Sequence, residues 1–329
     1  MLSKDIGIDL GTANVLIYVK GQGIVLNEPS VVAIKTESKN ILAVGEEAHQ
    51  MLGRTPGKVQ SIRPLKDGVI ADFDLTKEML INFIKKIKAK GIFTKPRILI
   101  CCPSNITEVE RNAIKEVAEA AGARKVYVEE EPKVAAIGAG LDISKPSASM
   151  VIDIGGGTTD IAVLSLGDIV TSKSITVAGD LFDQDIIKYV KDKYRLLIGE
   201  QTAEQVKIKI GTVFTDAKKE KMTIRGRDIS TGLPNSITIS SKEVEEALRD
   251  SAHKIVLSVK DVLEKTMPEL SADIVENGIV VTGGGALLSG IKELLKQELN
   301  VPITIADSPL TCVAEGTAIM LDNINLLEK

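Results

Sequence analysis

Residues 153–160 read DIGGGTTD, three glycines and two threonines held between aspartates. The apolar run SMVI leads in and IAVLSL leads out, so the segment reads as strand, tight turn, strand. Successive glycines weaken a strand, and their presence implies a close approach of the backbone to something else. The chain contains a second copy of the pattern. IGIDLGTANVLIY at 6–18 and MVIDIGGGTTDIAVL at 150–164 share apolar–Asp–apolar–Gly, small or hydroxylated turn residues, then a second apolar strand. Asp9 and Gly11 in one copy match Asp153 and Gly155 in the other, 144 positions on. That separation is far beyond the roughly 20–50 residues of a solenoid repeat, so it implies two duplicated domains.

Bulk composition agrees. The chain has 329 residues, longer than the roughly 100–200 of one typical domain. Apolar residues make up 44% and charged residues 26%, which excludes disordered and fibrous classes. The net charge is −4 with interspersed signs, aromatics are 3% and tryptophan is absent, so nucleic acid is not an expected partner. Three cysteines, Cys101, Cys102 and Cys312, have neither disulfide nor metal spacing, and only His49 and His253 supply imidazole. The opening MLSKDIGIDLG enters a strand pattern at once, without a leader pattern. No apolar run approaches the ~18–20 residues of a membrane span, so a cytoplasmic location is expected.

Short apolar runs alternate with helical periods, which predicts an α/β fold. Strands are expected at 5–9, 15–19, 24–26 and 30–34 as one meander, then at 97–102, 126–128, 150–154, 161–166 and 174–178. Helices are expected at 76–90, 182–194, 202–210, 242–265 and 287–299. Thr107 and Glu110 have capping-box spacing, with Val109, Ala113, Val117 and Ala120 as the inward stripe and Gly122 as the stop. VAAIGAG after the EEEP strand end predicts a short, closely packed helix, and 211–241 turns polar and β-like.

Backbone amides at a Gly/Thr hairpin tip can converge on an anion because no Cβ obstructs them. Two such hairpins across a cleft would grip a phosphate tail from both sides. Carboxylates at strand ends, Asp9 and Asp153, suit a hydrated Mg2+ beneath it. A third glycine cluster, VVTGGGALLSG at 280–290, reads as strand, glycine triplet and helix start, a further nucleotide-compatible terminus. Leu288 stands where a dinucleotide fingerprint needs its third glycine, and no P-loop motif occurs. Any one of these motifs alone is equally well an ordinary glycine turn.

Together DLGTAN, DIGGGTTD and TGGGALLSG resemble the two phosphate loops and adenosine motif of the actin/Hsp70/sugar-kinase ATPase superfamily. VEEEPKVAAIGAG at 128–140 and CVAEGTAIML at 312–321 resemble its two interdomain connections. The blocks LNEPSVVA, GRTPGKV, RPLKDGVIADF, LLIGEQTAEQVK and PELSADIVENGIVVTGGGALL are similar to the MreB family of bacterial actin homologues, its Mbl-type branch above all.

The resemblance implies an actin-like ATPase fold, duplicated ribonuclease H-like domains with four subdomains around a nucleotide cleft. Residues 1–144 would form the first domain, with an insertion at about 32–75, and 145–329 the second, with an insertion at about 180–243. It puts Thr12, Ala13 and Asn14 on the phosphates of ATP or ADP, opposite Gly155, Gly156, Gly157 and Thr158. Glu204 and Lys207 would flank ribose and adenine, and Gly283, Gly284, Gly285 and Ala286 would close the other side. From the residues alone, Glu204 and Lys207 are an i,i+3 pair on a solvated helix face. Asp9 and Asp153 would hold Mg2+ through water, and Glu131, with Thr158, would orient the attacking water. Glu129 and Glu130 read as surface charges. The second loop ends in Asp160, GGTTD, where many MreB sequences end GGTTE.

The family's function implies a slow, polymerisation-coupled ATPase that self-associates into paired protofilaments. It implies work at the inner face of the cytoplasmic membrane, with the cell-wall elongation machinery and MreB paralogues, to determine rod shape. KGIFTKP at 90–96 matches the family's membrane loop, with Ile92 and Phe93 between lysines. A sugar kinase on the same core would need a substrate insertion and an acceptor base, and a chaperone ATPase a further domain. Neither is present in the pattern.

Overall fold

The computed structural model describes residues 5–88, 95–104, 106–215 and 217–323. Ile92 and Phe93 therefore lie outside the described residues. Strands β1 (Ile6–Leu10), β2 (Asn14–Val19) and β3 (Gly23–Pro29) form the expected antiparallel meander. It ends at Pro29, which cannot donate to a ladder. Residues 30–34 thus do not extend it. They lead into β4 (Val32–Lys35), which pairs with β5 (Ile41–Val44) and β6 (Val59–Ile62) in a separate sheet carrying α1 (Glu46–Gln50). β7 (Leu65–Lys66) and β8 (Val69–Ile70) form a two-residue hairpin.

Helix α2 (Phe73–Lys88) buries Met79, Leu80, Phe83, Ile84 and Ile87. β9 (Arg97–Cys102) then enters parallel to β1. α3 (Glu108–Ala120) has the Thr107/Glu110 capping box, but its inward stripe is Ile114, Val117 and Ala118. Of the expected stripe Val117 is buried and Ala113 half-buried, whereas Val109 is 78% exposed and Ala120 is also outside, so those two are corrected. The larger Ile114 side chain, not Val109, chooses the face. Gly122 stops the helix at φ 104. β10 (Lys125–Glu130) completes the first sheet, in the order β10-β9-β1-β2-β3, and α4 (Glu131–Gly138) follows without a loop.

The second half repeats the plan. β11 (Ser149–Ile154), β12 (Thr159–Ser165) and β13 (Asp168–Ile175) form another meander. Leu166 and Gly167, both at positive φ, turn the chain early, so the third strand starts at 168 rather than 174. α5 (Gly179–Tyr194), β14 (Leu196–Leu197) and α6 (Glu200–Ile210) come next, then the β15 (Lys221–Asp228) and β16 (Pro234–Ser240) hairpin. α7 (Ser241–Lys265) is followed by α8 (Pro268–Asn277), a helix not read from the sequence although proline at its start marks it. β17 (Ile279–Thr282) ends in a 3-10 turn, Gly284–Leu287, so α9 (Ile291–Leu299) starts later than 287. β18 (Ile303–Ile305) and α10 (Cys312–Asp322) close the fold.

The second sheet runs β13-β12-β11-β17-β18, the order of the first. Asp9 pairs with Cys101 on the parallel side and Asp153 with Thr282 on its own, so the two aspartates occupy one topological position. Each sheet has its own apolar core, and a third cluster lies between them. There α4 and α10 pack Val134, Ala135 and Ala136 with Val313 and Met320 against both sheets. A Cβ on Gly138 would lie 1.8 Å from the Cys312 carbonyl oxygen, and one on Gly316 would lie 2.0 Å from that of Val134. The three cysteines are free and buried. Among the described residues no helix is long and apolar enough to cross a membrane.

Candidate functional site

The β1–β2 and β11–β12 turns face each other across a cavity of about 520 Å³. The hairpins approach so closely that a Cβ on Gly156 would lie 2.5 Å from that of Ala13. One on Gly157 would lie 2.7 Å from the Thr12 hydroxyl. Thr12, Ala13 and Asn14 line one side and Gly155 to Thr158 the other. Ser30 Oγ donates to the Gly11 carbonyl at 2.6 Å, and the Gly155 amide donates to the Thr158 carbonyl at 2.9 Å, fixing the two turns. Asp9, Glu131 and Asp153 form the floor.

Glu131 is the first residue of α4, and Pro132 at the next position has no amide to leave unsatisfied. The carboxylate is thereby delivered from a rigid helix start. Glu129 and Glu130, expected on the surface, are half-buried within β10, and Glu129 reaches Lys133 at 3.4 Å.

The floor is strongly acidic. Burial pushes the Asp9 carboxyl up to about 7. Burial raises Asp153 and Glu131 well above the carboxylate range, and the charges of Asp160 and of one another add to it. Asp153 Oδ2 is buried without a hydrogen-bond partner. A concentration of negative charge with an orphaned oxygen suits a divalent cation. Among the described residues no three acidic, cysteine or histidine side chains converge to hold a metal directly.

The far wall is built by α6 and the Gly284–Leu287 turn. Glu204 and Lys207 both line the cavity, but they do not form the solvated i,i+3 pair. Lys207 Nζ donates to Asp183 Oδ2 at 2.8 Å and to the Gly179 carbonyl at 2.9 Å. Burial pushes the Asp183 carboxyl up to about 6 against the opposing pull of Lys207. Asp183, one turn into α5, anchors the cavity-lining Lys207 and was not singled out from the sequence. Gly283, Gly284 and Gly285 line the wall, whereas Ala286 is 5% exposed and packs in the second core. Its expected place on the cavity is corrected: Leu287 and Leu288 stand there instead, because the 3-10 turn rotates Ala286 inward. Gly283 has φ 81, and a Cβ there would lie 2.3 Å from Asp153 Oδ1.

Gly68 was also missed as a site residue. Asp67 and Gly68, at φ 53 and 81, make the hairpin turn that their DG sequence signals. The Gly68 amide donates to Thr12 Oγ1 at 3.2 Å and so joins the small hairpin to the first loop.

The whole chain matches known proteins. Residues 3–329 match the family model described as MreB/Mbl protein. The cell shape-determining protein Mbl of Bacillus subtilis (strain 168) is 64% identical over 329 residues, covering all of this chain and 99% of the relative. The cell shape-determining protein MreB of Escherichia coli (strain K12) is 51% identical, covering 99% of this chain and 95% of its own. The crystal structure of MreB 5 of Spiroplasma citri bound to AMPPNP superposes with a TM-score of 0.94 at 45% identity. It covers 99% of this chain and 98% of that one. A family model spanning nearly every residue, full-length relatives and a fold shared along nearly the whole chain agree, and the chain belongs to the MreB/Mbl family of actin-like proteins.

Proposed function

We propose that this protein binds ATP between the two glycine hairpins, hydrolyses it slowly, and polymerises into membrane-associated filaments that organise cell-wall synthesis and determine rod shape. The observation that carries the reading is the pair of duplicated turns facing each other over Asp9, Glu131 and Asp153. The names of the relatives and the nucleotide bound by Spiroplasma MreB 5 support it. Residues 1–144 and 145–329 act as the two domains, joined through α4 and α10.

In this mechanism Thr12 to Asn14 and Gly155 to Thr158 hold the β- and γ-phosphates by their amides. Leu287, Leu288, Glu204 and Lys207 border the nucleoside. Asp9 and Asp153 would hold Mg2+ through water, and a bound ion would supply neutralisation of the phosphate charge and of their own. Glu131, with Thr158, orients the attacking water in line. Burial and the neighbouring Asp153, Asp160 and Asp9 charges raise its proton affinity, the direction a general base needs. Phosphoryl transfer depends on positioning and electrostatics, and a carboxylate beside charged phosphates adds little acceleration, which accords with slow turnover.

Glu131→Ala should lower single-turnover phosphate release about a hundredfold while leaving nucleotide affinity within about threefold. Equal loss of binding would show that Glu131 belongs to the cradle. For assembly, the protein is sedimented with ATP and Mg2+, with and without anionic lipid vesicles, and imaged by electron microscopy. Filaments on vesicles are expected, weakened by Ile92→Ser/Phe93→Ser because many weak contacts sum along a filament. No filament under any nucleotide, salt or lipid condition would overturn the polymer reading. ADP formation that required an added sugar would favour a kinase.

A further inference from the structure

Lys207 lies on α6 and lines the cavity, yet its ammonium group is held from behind. It donates to Asp183 Oδ2 at 2.8 Å and to the Gly179 carbonyl at 2.9 Å, both at the start of α5. An ammonium has three donors and no acceptor, so these two bonds leave one N–H and fix its direction. A lysine stem left to itself samples many rotamers, and a ligand would have to order it.

The frame that holds Lys207 is tied to the second glycine hairpin. α5 has no side-chain cap at Ala178; instead the Gly179 amide donates to the Gly155 carbonyl at 3.2 Å and the Asp180 amide to that of Gly156 at 2.8 Å. The open amides of the helix start are thereby satisfied by the loop. A Cβ on Gly179 would lie 3.4 Å from both the Gly155 carbonyl oxygen and Lys207 Nζ, which places that residue between loop and lysine. Asp183 is buried, and its other oxygen, Oδ1, is buried with no hydrogen-bond partner. A carboxylate placed in this way is a poor choice for stability alone.

The pairing also changes what Lys207 presents to a ligand. Its positive charge is matched by the Asp183 carboxylate in a largely buried setting. A matched ammonium is a weak counter-ion for phosphate but remains a directed donor for a neutral oxygen or nitrogen. Glu204, on the same wall, supplies an acceptor. Donor and acceptor on one wall suit sugar hydroxyls or a base edge rather than a phosphate chain.

We propose that Asp183 is a positioning residue that sets nucleoside selectivity: by holding Lys207 against the start of α5 it turns a mobile cation into one oriented donor for the nucleoside and keeps its charge from the phosphates. The inference rests on the nucleotide-binding reading above. Asp183 stands behind the cavity wall and acts through Lys207.

The test compares two ligands with the whole protein and Mg2+: ATP, and inorganic tripolyphosphate, which has the phosphate chain without the nucleoside. Each is titrated against a bound fluorescent ATP analogue. Asp183→Asn keeps size and an acceptor oxygen but removes the charge that matches Lys207. It should weaken ATP about tenfold, the order of one hydrogen bond to a charged group, and leave tripolyphosphate within about twofold or bind it more tightly. Lys207→Met should weaken ATP to a similar degree, and Asp183→Asn should add no further loss once Lys207 is gone, because the two act as a unit. Equal weakening of both ligands, an unchanged ATP-to-tripolyphosphate ratio, or additive losses in the double variant would overturn the proposal. If a melting curve shows that Asp183→Asn does not fold, Lys207→Arg carries the test: arginine keeps the charge, but its planar fork cannot reproduce the three-point geometry of the ammonium. The ratio should then fall several-fold, and a parental ratio would overturn the proposal. An unsubstituted protein that binds neither ligand would instead sink the nucleotide reading itself.

Discussion

The base and the mouth of the cleft are built on different principles. At the base, α4 and α10 cross with glycine against backbone, and an apolar cluster fills the space between the sheets. At the mouth, α1 of the first half meets α6 of the second through a hydrogen bond from Gln201 Nε2 to the His49 carbonyl at 2.8 Å. Close packing is rigid, while a single part-buried hydrogen bond is worth about 1 kcal/mol. The two halves should therefore pivot on the base and open at the mouth.

The sharpest way to break this contrast is at the base. Gly316→Val must displace the Val134 carbonyl, because even a Cβ would lie 2.0 Å from it. Overpacking against backbone costs about 3 kcal/mol or more, which lowers the melting temperature by roughly 4 °C or more in a molecule of this size. Differential scanning calorimetry measures it. A shift under 2 °C would mean that the crossing is soft and the hinge lies elsewhere.

The floor between these regions gives the next effect. The Asp9 carboxyl, ordinarily near 3.8, is raised to about 7 in the folded protein. Below 3.8 both folded and unfolded forms carry the proton, and there is no penalty. Between about 4 and 7 the unfolded chain ionises while the folded one retains its proton, so stability falls as pH rises, by about 1.4 kcal/mol per unit of separation before relaxation and water entry reduce it. Asp153 and Glu131, raised by the same burial, contribute in the same direction. The protein without ligand should melt several degrees lower at pH 8 than at pH 6, and Mg2+ with nucleotide should flatten the profile. A ligand-free profile that rises with pH would contradict the buried-carboxylate floor.

Most of this architecture could be read from periodicity. The repeat around Asp9 and Asp153 announced the duplication, and the structure returns the same strand order twice. Long-range pairings were not legible. Lys207 looked like a partner for Glu204 because both lie on one helix face, but Asp183 on α5 is closer and more buried. Gly68 carried a turn signal with no indication of what the turn would touch. Ala286 belonged to the right motif, yet a four-residue 3-10 turn in place of an α-helix start moved it from wall to core. In α3 the expected Val117 is buried but Val109 and Ala120 are not, since several apolar residues could have chosen the face. Pattern gives elements and their repetition; side-chain partners depend on distances that only the closed fold supplies.

The smallest effect belongs to the mouth, and it separates stability from gating. Gln201→Ala removes one donor to the His49 carbonyl and leaves both helices and both cores intact. Stability should change by less than about 1 kcal/mol, and the melting curve by no more than a few degrees. Nucleotide release should respond more, because any opening that lets the ligand leave must break this contact first. Loss of about 1 kcal/mol from the closed state alone raises the release rate about fivefold, measured by displacement of a fluorescent nucleotide, with the association rate nearly unchanged. The same substitution combined with Gly316→Val tests whether mouth and base are independent. Additive effects on release would mean that they are, whereas a release rate no longer sensitive to Gln201 would mean that a distorted base has already opened the mouth.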